Sequence, residues 1–120
     1  MNGSHIIAEL YECDIERLDD PQWLERALRE AAARAGAEVV GVLVHPFAPH
    51  GTTGVALLKE SHLSVHTWPE HAYAAIDAFT CGDTNPSLAI DSLKESFGAG
   101  RIERVTLERG MKGIRLSERR

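Results

Sequence analysis

The sequence predicts an α+β fold, a two-layer sandwich with two helices on one face of an antiparallel or mixed sheet. Two observations point to it. Asp20-Pro21 and Asn85-Pro86 each open a stretch with apolar residues at helical spacing. The segments between them alternate apolar with polar residues or run β-branched, and turn residues bound them.

Each element follows in order. His5–Glu12 (HIIAELYE) is apolar and partly alternating, a strand. Asp19 and Asp20 offer an N-cap and Pro21 a first helical turn. Leu24, Ala27, Leu28, Ala31 and Ala35 then follow a helical period, and Gly36 ends it. Val39–Val44 is a buried strand. Pro46–Gly54 (PFAPHGTTG) is a loop or tight turn. Val55–Trp68 reads as one long or broken strand, which Pro69 stops. Tyr73–Thr80 is the next strand and CGDT a turn. Ile90, Leu93 and Phe97 give the second helix its apolar stripe, and Val105 and Leu107 mark a last strand. The uncovered sheet face needs a cover, and a second copy supplies it, so the expectation is a homodimer forming a four-layer assembly.

The 120 residues fit one domain, residues 1–120. The net charge of −5 and the absence of a basic stripe argue against a nucleic-acid partner. No apolar run approaches a membrane span and no secretory leader precedes His5, so no membrane partner is expected. Cys13 and Cys81 lie far apart in no metal-type spacing, which suits two free thiols in a reducing cytoplasm.

The chemistry concentrates in Lys59–Glu70 (KESHLSVHTWPE). On a regular strand Ser61, Leu63 and Val65 share one face while His62, Ser64 and His66 share the other, so spacing alone does not put His66 beside Ser61. A hydrolase elbow is missing, and His62 and His66 four apart on a strand are not the compact helical pair of a zinc site, so no metal is expected. By default, Ser61 is a solvated strand serine, Cys81 a small buried hydrophobe, and Phe47 and Trp68 packing residues. Residue type alone gives His5, His45, His50, His62 and His71 no role.

The run ESHLSVHTWPE, followed by YAAIDAFTCGD and preceded by HPFAPHGTTG and HIIAELYECD, closely resembles the prokaryotic S-adenosylmethionine decarboxylase proenzymes, from about His5 to Gly110. The resemblance implies self-cleavage between Glu60 and Ser61 into a beta chain, 1–60, and an alpha chain, 61–120. Ser61 would become a covalently bound pyruvoyl group that forms a Schiff base with substrate and acts as electron sink, the job pyridoxal phosphate does elsewhere; neither pyridoxal phosphate nor a metal is then required. His66 matches the processing histidine that takes the Ser61 α-proton. Thr53 stands where bacterial members usually carry serine and keeps the processing hydroxyl. Cys81 matches the catalytic proton donor. Phe47 and Trp68 match aromatics expected at the adenine, and Glu70 the carboxylate expected at the ribose hydroxyls. The implied activity is decarboxylation of S-adenosylmethionine, which makes the aminopropyl donor for spermidine and polyamine biosynthesis, in a cytoplasmic homodimer with its site near the interface. Two other readings remain: a pyruvoyl-dependent arginine or ornithine decarboxylase of the same make, and an unprocessed regulatory subunit.

Overall fold

The computed structural model describes residues 2–119, the side chains of Asn2 and Glu118 excepted. Its helices start where short polar side chains cap them. Asp14 caps α1 (Ile15–Leu18), Asp20 caps α2 (Pro21–Ala35), and Asn85 caps α3 (Pro86–Ser96), each accepting from backbone N–H groups of the first turn. Pro21 and Pro86 occupy first-turn positions, and Gly36 closes α2 in the left-handed conformation.

The described residues also form seven strands: β1 (Asn2–Tyr11), β2 (Val39–Pro46), β3 (Thr52–Leu58), β4 (Ser61–Trp68), β5 (Tyr73–Cys81), β6 (Arg101–Gly110) and β7 (Gly113–Arg119). They form one sheet in the order β2-β3-β4-β5-β1-β6-β7. Every pairing is antiparallel, which resolves the antiparallel-or-mixed alternative.

Four of these readings change. Val39–Val44, expected as a buried strand, is an edge strand with Val40 and Leu43 exposed. Val55–Trp68, expected as one long or broken strand, is broken into two: the chain reverses at Lys59-Glu60, and Leu58 pairs with Ser61 across a two-residue turn. Lys-Glu lacks the Gly or Asn that marks such turns, so pairing along β3 and β4 imposes the reversal. The last strand is a hairpin, since 113–119 returns along β6. The short helix α1 was not expected; Asp14 starts it and the α2 cap follows at once.

Both long helices cover one sheet face. Leu24, Leu28, Ala31, Ile90, Leu93 and Phe97 pack there against Ile6, Ala8, Leu10, Ala56, Leu63, Val65, Ala74, Ile76 and Ala78. Each fully buried Leu or Phe in this layer contributes about 1.5–3 kcal/mol. Gly54 lets α2 approach closely, because a Cβ there would meet Leu24 Cδ2 at 2.8 Å and Leu28 Cδ1 at 2.9 Å. Among the described residues the other face carries no helix. Ile7, Leu43, Val55, Leu57 and Leu116 lie exposed on it, alongside the polar side chains considered next.

Candidate active site

The Glu60–Ser61 bond lies at the β3–β4 turn. Glu60 has φ +65°, left-handed for a residue with a side chain. That conformation costs about 1–2 kcal/mol and persists because the paired strands on either side fix it. Ser61 opens β4 almost buried, and its hydroxyl donates to the Lys59 carbonyl at 3.2 Å. The Cys81 thiol, at the end of β5, donates to the Glu60 carbonyl at 3.6 Å. The Ser61 hydroxyl, the Glu60 carbonyl and the Cys81 thiol therefore converge at one end of the sheet.

At the opposite end, the β2–β3 loop faces the end of β4. Thr53 pairs with His66, and Thr53 Oγ1 lies 3.0 Å from His66 Nδ1. Two buried threonines anchor these neighbours. Thr52 and Thr67 both donate their hydroxyls to the Leu18 carbonyl, at 3.2 and 2.8 Å, and Thr67 Oγ1 accepts from the Thr52 N–H at 2.9 Å. The loop is tied down as well: the Gly51 N–H donates to Asp19 Oδ1 at 2.8 Å, and the Phe47 N–H donates to the Gly51 carbonyl at 2.8 Å.

Phe47, Thr53, His66, Trp68 and Glu70 line one cavity of about 340 Å³. Trp68 stacks on Tyr73 with centroids 5.1 Å apart. His50, which sequence reasoning left without a role, reaches Glu70 Oε1 from Nε2 at 3.1 Å. The Glu70 backbone N–H holds the Glu70 carboxyl below the usual carboxylate range against the opposing desolvation, with further help from His50. A larger cavity of about 600 Å³ sits at the β6–β7 turn, lined by residues 108–115 and remote from all these groups.

The structure thus gathers the candidates into two groups. Ser61 and Cys81 form one; Thr53, His66, Phe47, Trp68 and Glu70 form the other. Within one chain the groups stay apart. Ser61 and His66 are five residues apart on β4 and face opposite sides of the sheet, a span of about 16 Å at ~3.3 Å per residue.

Between the two ends lies a cluster that sequence reasoning missed. Asp77 Oδ2 accepts from His5 Nε2 at 2.6 Å and from His62 Nε2 at 3.0 Å, and its other oxygen accepts from the Ser64 hydroxyl. Burial opposes ionisation of Asp77, but the hydrogen bonds from Ser64, His5 and His62 outweigh it and hold the carboxyl below the usual aspartate range. His5, His62 and Asp77 bring ligand-type atoms within 4.8 Å of one another. The donor set nevertheless fits a hydrogen-bond network better than a metal. Arg109 donates to His5 Nδ1 at 3.0 Å, whereas the outer nitrogen of a metal-bound histidine normally faces an acceptor. The sequence signal for this cluster was the period-2 run Tyr73, Asp77, Phe79, Cys81 on β5; finding its partners requires the strand register.

Gly3 shapes the same region. A Cβ there would meet Phe79 Cε1 at 2.7 Å; Phe79 carries the Arg109 guanidinium 4.5 Å from its ring centre. Cys13 is buried, and burial pushes its thiol up to about 11, so it is inert. Among the described residues no helix is long and apolar enough to cross a membrane.

A model of the family described as S-adenosylmethionine decarboxylase matches residues 4–110. The S-adenosylmethionine decarboxylase proenzyme of Geobacillus sp. (strain WCH70) is 43% identical over 116 residues, 97% of this chain and 94% of that one. The proenzyme of Bacillus velezensis is 41% identical over 116 residues, 97% of this chain and 92% of that one. The crystal structure of the adenosylmethionine decarboxylase from Aquifex aeolicus superposes with a TM-score of 0.83 at 38% identity, covering 91% of each chain. The Trypanosoma brucei AdoMetDC-delta26 monomer shares the fold, with a TM-score of 0.60 at 18% identity over 87% of this chain and 45% of that one.

Proposed function

The chain belongs to the S-adenosylmethionine decarboxylase family, and on that premise we propose that it is a proenzyme that cuts itself between Glu60 and Ser61 and then decarboxylates S-adenosylmethionine. The observation that carries this reading is the turn itself. A left-handed Glu60 precedes the serine, and its carbonyl accepts from Cys81.

Cutting follows from the residues present. The Ser61 hydroxyl rotates from the Lys59 carbonyl and attacks the Glu60 carbonyl carbon. The Glu60–Ser61 amide becomes an ester, and the Ser61 nitrogen becomes a free amine. Loss of the Ser61 α-proton expels the Glu60 carboxylate and leaves dehydroalanine. Addition of water and loss of ammonia give a pyruvoyl group on the alpha chain, 61–120. Thr53 hydrogen-bonds the tetrahedral oxygen, and His66 takes the α-proton. The Thr53–His66 hydrogen bond supports their acting as a pair.

Since Thr53 and His66 lie about 16 Å from Ser61 in one chain, a second copy supplies them. The exposed Ile7, Leu43, Val55, Leu57 and Leu116 give the open face the apolar surface for such packing. Two copies related by a two-fold axis make two equal sites, each with Ser61 and Cys81 from one protomer and the 340 Å³ cavity from the other.

The pyruvoyl group supplies the electron sink that amino-acid decarboxylation needs. Ser61 would carry it at the start of the alpha chain, and the Cys81 thiol lies beside that position, against the Glu60 carbonyl. Cys81 Sγ gives its proton to the substrate α-carbon. Phe47 and Trp68 contact the adenine and attract the sulfonium by cation–π interaction. Glu70, ionised and steadied by His50, accepts from the ribose hydroxyls.

Carbon dioxide release measured side by side from S-adenosylmethionine, arginine and ornithine tests the substrate. Release from S-adenosylmethionine is expected; release from arginine or ornithine alone sinks the assignment.

A further inference from the structure

The cluster around Asp77 has no part in the chemistry above, yet it adjoins both Ser61 and Cys81. Its proton positions can be read from the donors. A guanidinium only donates, so the bond from Arg109 leaves His5 Nδ1 as a lone pair and puts the single His5 proton on Nε2, facing Asp77. Both ring nitrogens of His5 are therefore committed, one to Arg109 and one to Asp77. His62 differs. Its Nε2 is committed to Asp77, but no described residue hydrogen-bonds its Nδ1, and in the single chain the side chain keeps 38% of its surface.

His62 follows Ser61 directly and pairs across the sheet with Phe79. Cys81 stands two residues beyond Phe79 on the same open face, a diagonal neighbour at about 7–8 Å. A gap of that size fits one bridging water. The charged and titratable groups facing His62 are Asp77 on β5, His5 on β1 and, behind His5, Arg109 on β6. From β3 it faces its partner Leu57, which carries no charge.

The reaction needs a group in that place. Replacing a carboxylate by hydrogen with release of carbon dioxide consumes one proton per turnover. Once the Cys81 S–H proton has gone to the α-carbon, the sulfur is a thiolate and needs a new proton. We propose that His62, held by Asp77, is the acid that recharges Cys81, and that Asp77 is its positioning residue. The His62 imidazolium releases its Nδ1 proton through the water to the Cys81 thiolate. The electron pair of the broken N–H bond stays on Nδ1. The neutral ring keeps its Nε2 proton on Asp77 and takes a fresh Nδ1 proton from solvent. The inference rests on the reading of Cys81 as the proton donor.

The test uses the cut protein in wild-type, His62→Ala, Asp77→Asn and Asp77→Glu forms, with cutting checked by intact mass. Alkylation of Cys81 by iodoacetamide is followed against pH by peptide mass, which separates it from buried Cys13. A cation beside the thiol favours the thiolate, so His62→Ala and Asp77→Asn are expected to slow alkylation near pH 7 about tenfold. The same variants are expected to lose about 10²-fold in kcat with little change in KM. Added imidazole restores part of the loss in His62→Ala, and Asp77→Glu stays near wild type. If His62→Ala impairs cutting, Asp77→Asn carries the same readouts with His62 in place. An alkylation profile unchanged in Asp77→Asn overturns the proposal, as does a kcat loss that imidazole never rescues in cut His62→Ala. Wild-type protein that releases no carbon dioxide from S-adenosylmethionine fails the decarboxylase reading instead, while the alkylation arm still reads the His62–Cys81 coupling.

Discussion

The two ends of the sheet are built by different means. At the Ser61 end the backbone does the positioning: a two-residue turn, one left-handed residue and a carbonyl held against Cys81. At the Thr53 end side chains do it, through the Thr52–Thr67–Leu18 anchor, the Asp19–Gly51 tie and the His50–Glu70 pair. The first end holds the Glu60–Ser61 bond that we propose is cut, and the second a cavity lined by the proposed substrate contacts. Within one chain the two stay apart, which is why the proposal draws one from each of two copies.

The sharpest way to break the comparison is at the bond itself. Ser61→Ala is expected to abolish both cutting and decarboxylation, read by intact mass and carbon dioxide release; normal turnover in this variant removes Ser61 from its role.

The next effect tests whether the ends act between copies. His66→Ala alone is expected to slow cutting by about 10²–10⁴-fold. Co-expressed with Ser61→Ala, whose His66 is intact, the His66→Ala chain is expected to regain cutting, because a mixed dimer holds one complete site. Absence of rescue in isolated mixed dimers places both ends in one chain after all.

Cys81→Ala separates the two reactions at the first end. Cutting is expected to proceed, while decarboxylation falls by about 10²–10⁴-fold. Equal losses in both would mean that the contact to the Glu60 carbonyl serves processing.

The smallest effect concerns the helix-covered face that supports both ends. Gly54→Ala drives a Cβ to 2.8 Å from Leu24, and such overpacking costs about 1–3 kcal/mol. A lower Tm is expected, read by thermal unfolding. An unchanged Tm shows that α2 can shift away from β3.

What the sequence disclosed divides along similar lines. The caps at Asp20 and Asn85 and the Gly36 stop were legible because they act within a few residues. The opposite facing of Ser61 and His66 was legible from strand period alone. The reversal at Lys59-Glu60 was not, since no turn residue announces it and tertiary pairing overrides local preference. The polar alternation of 113–119 likewise hid β7. The Asp77 cluster was invisible for another reason: His5 and Asp77 are 72 residues apart, and only the register of β1 on β5 joins them.

The central claim is the cut between Glu60 and Ser61, and intact mass of the purified protein over time tests it most directly. The account predicts that the full chain gives way to two species, residues 1–60 and residues 61–120, the second lighter than its sequence mass by one ammonia. A chain that stays whole after prolonged incubation, or a cut at any other bond, would contradict it.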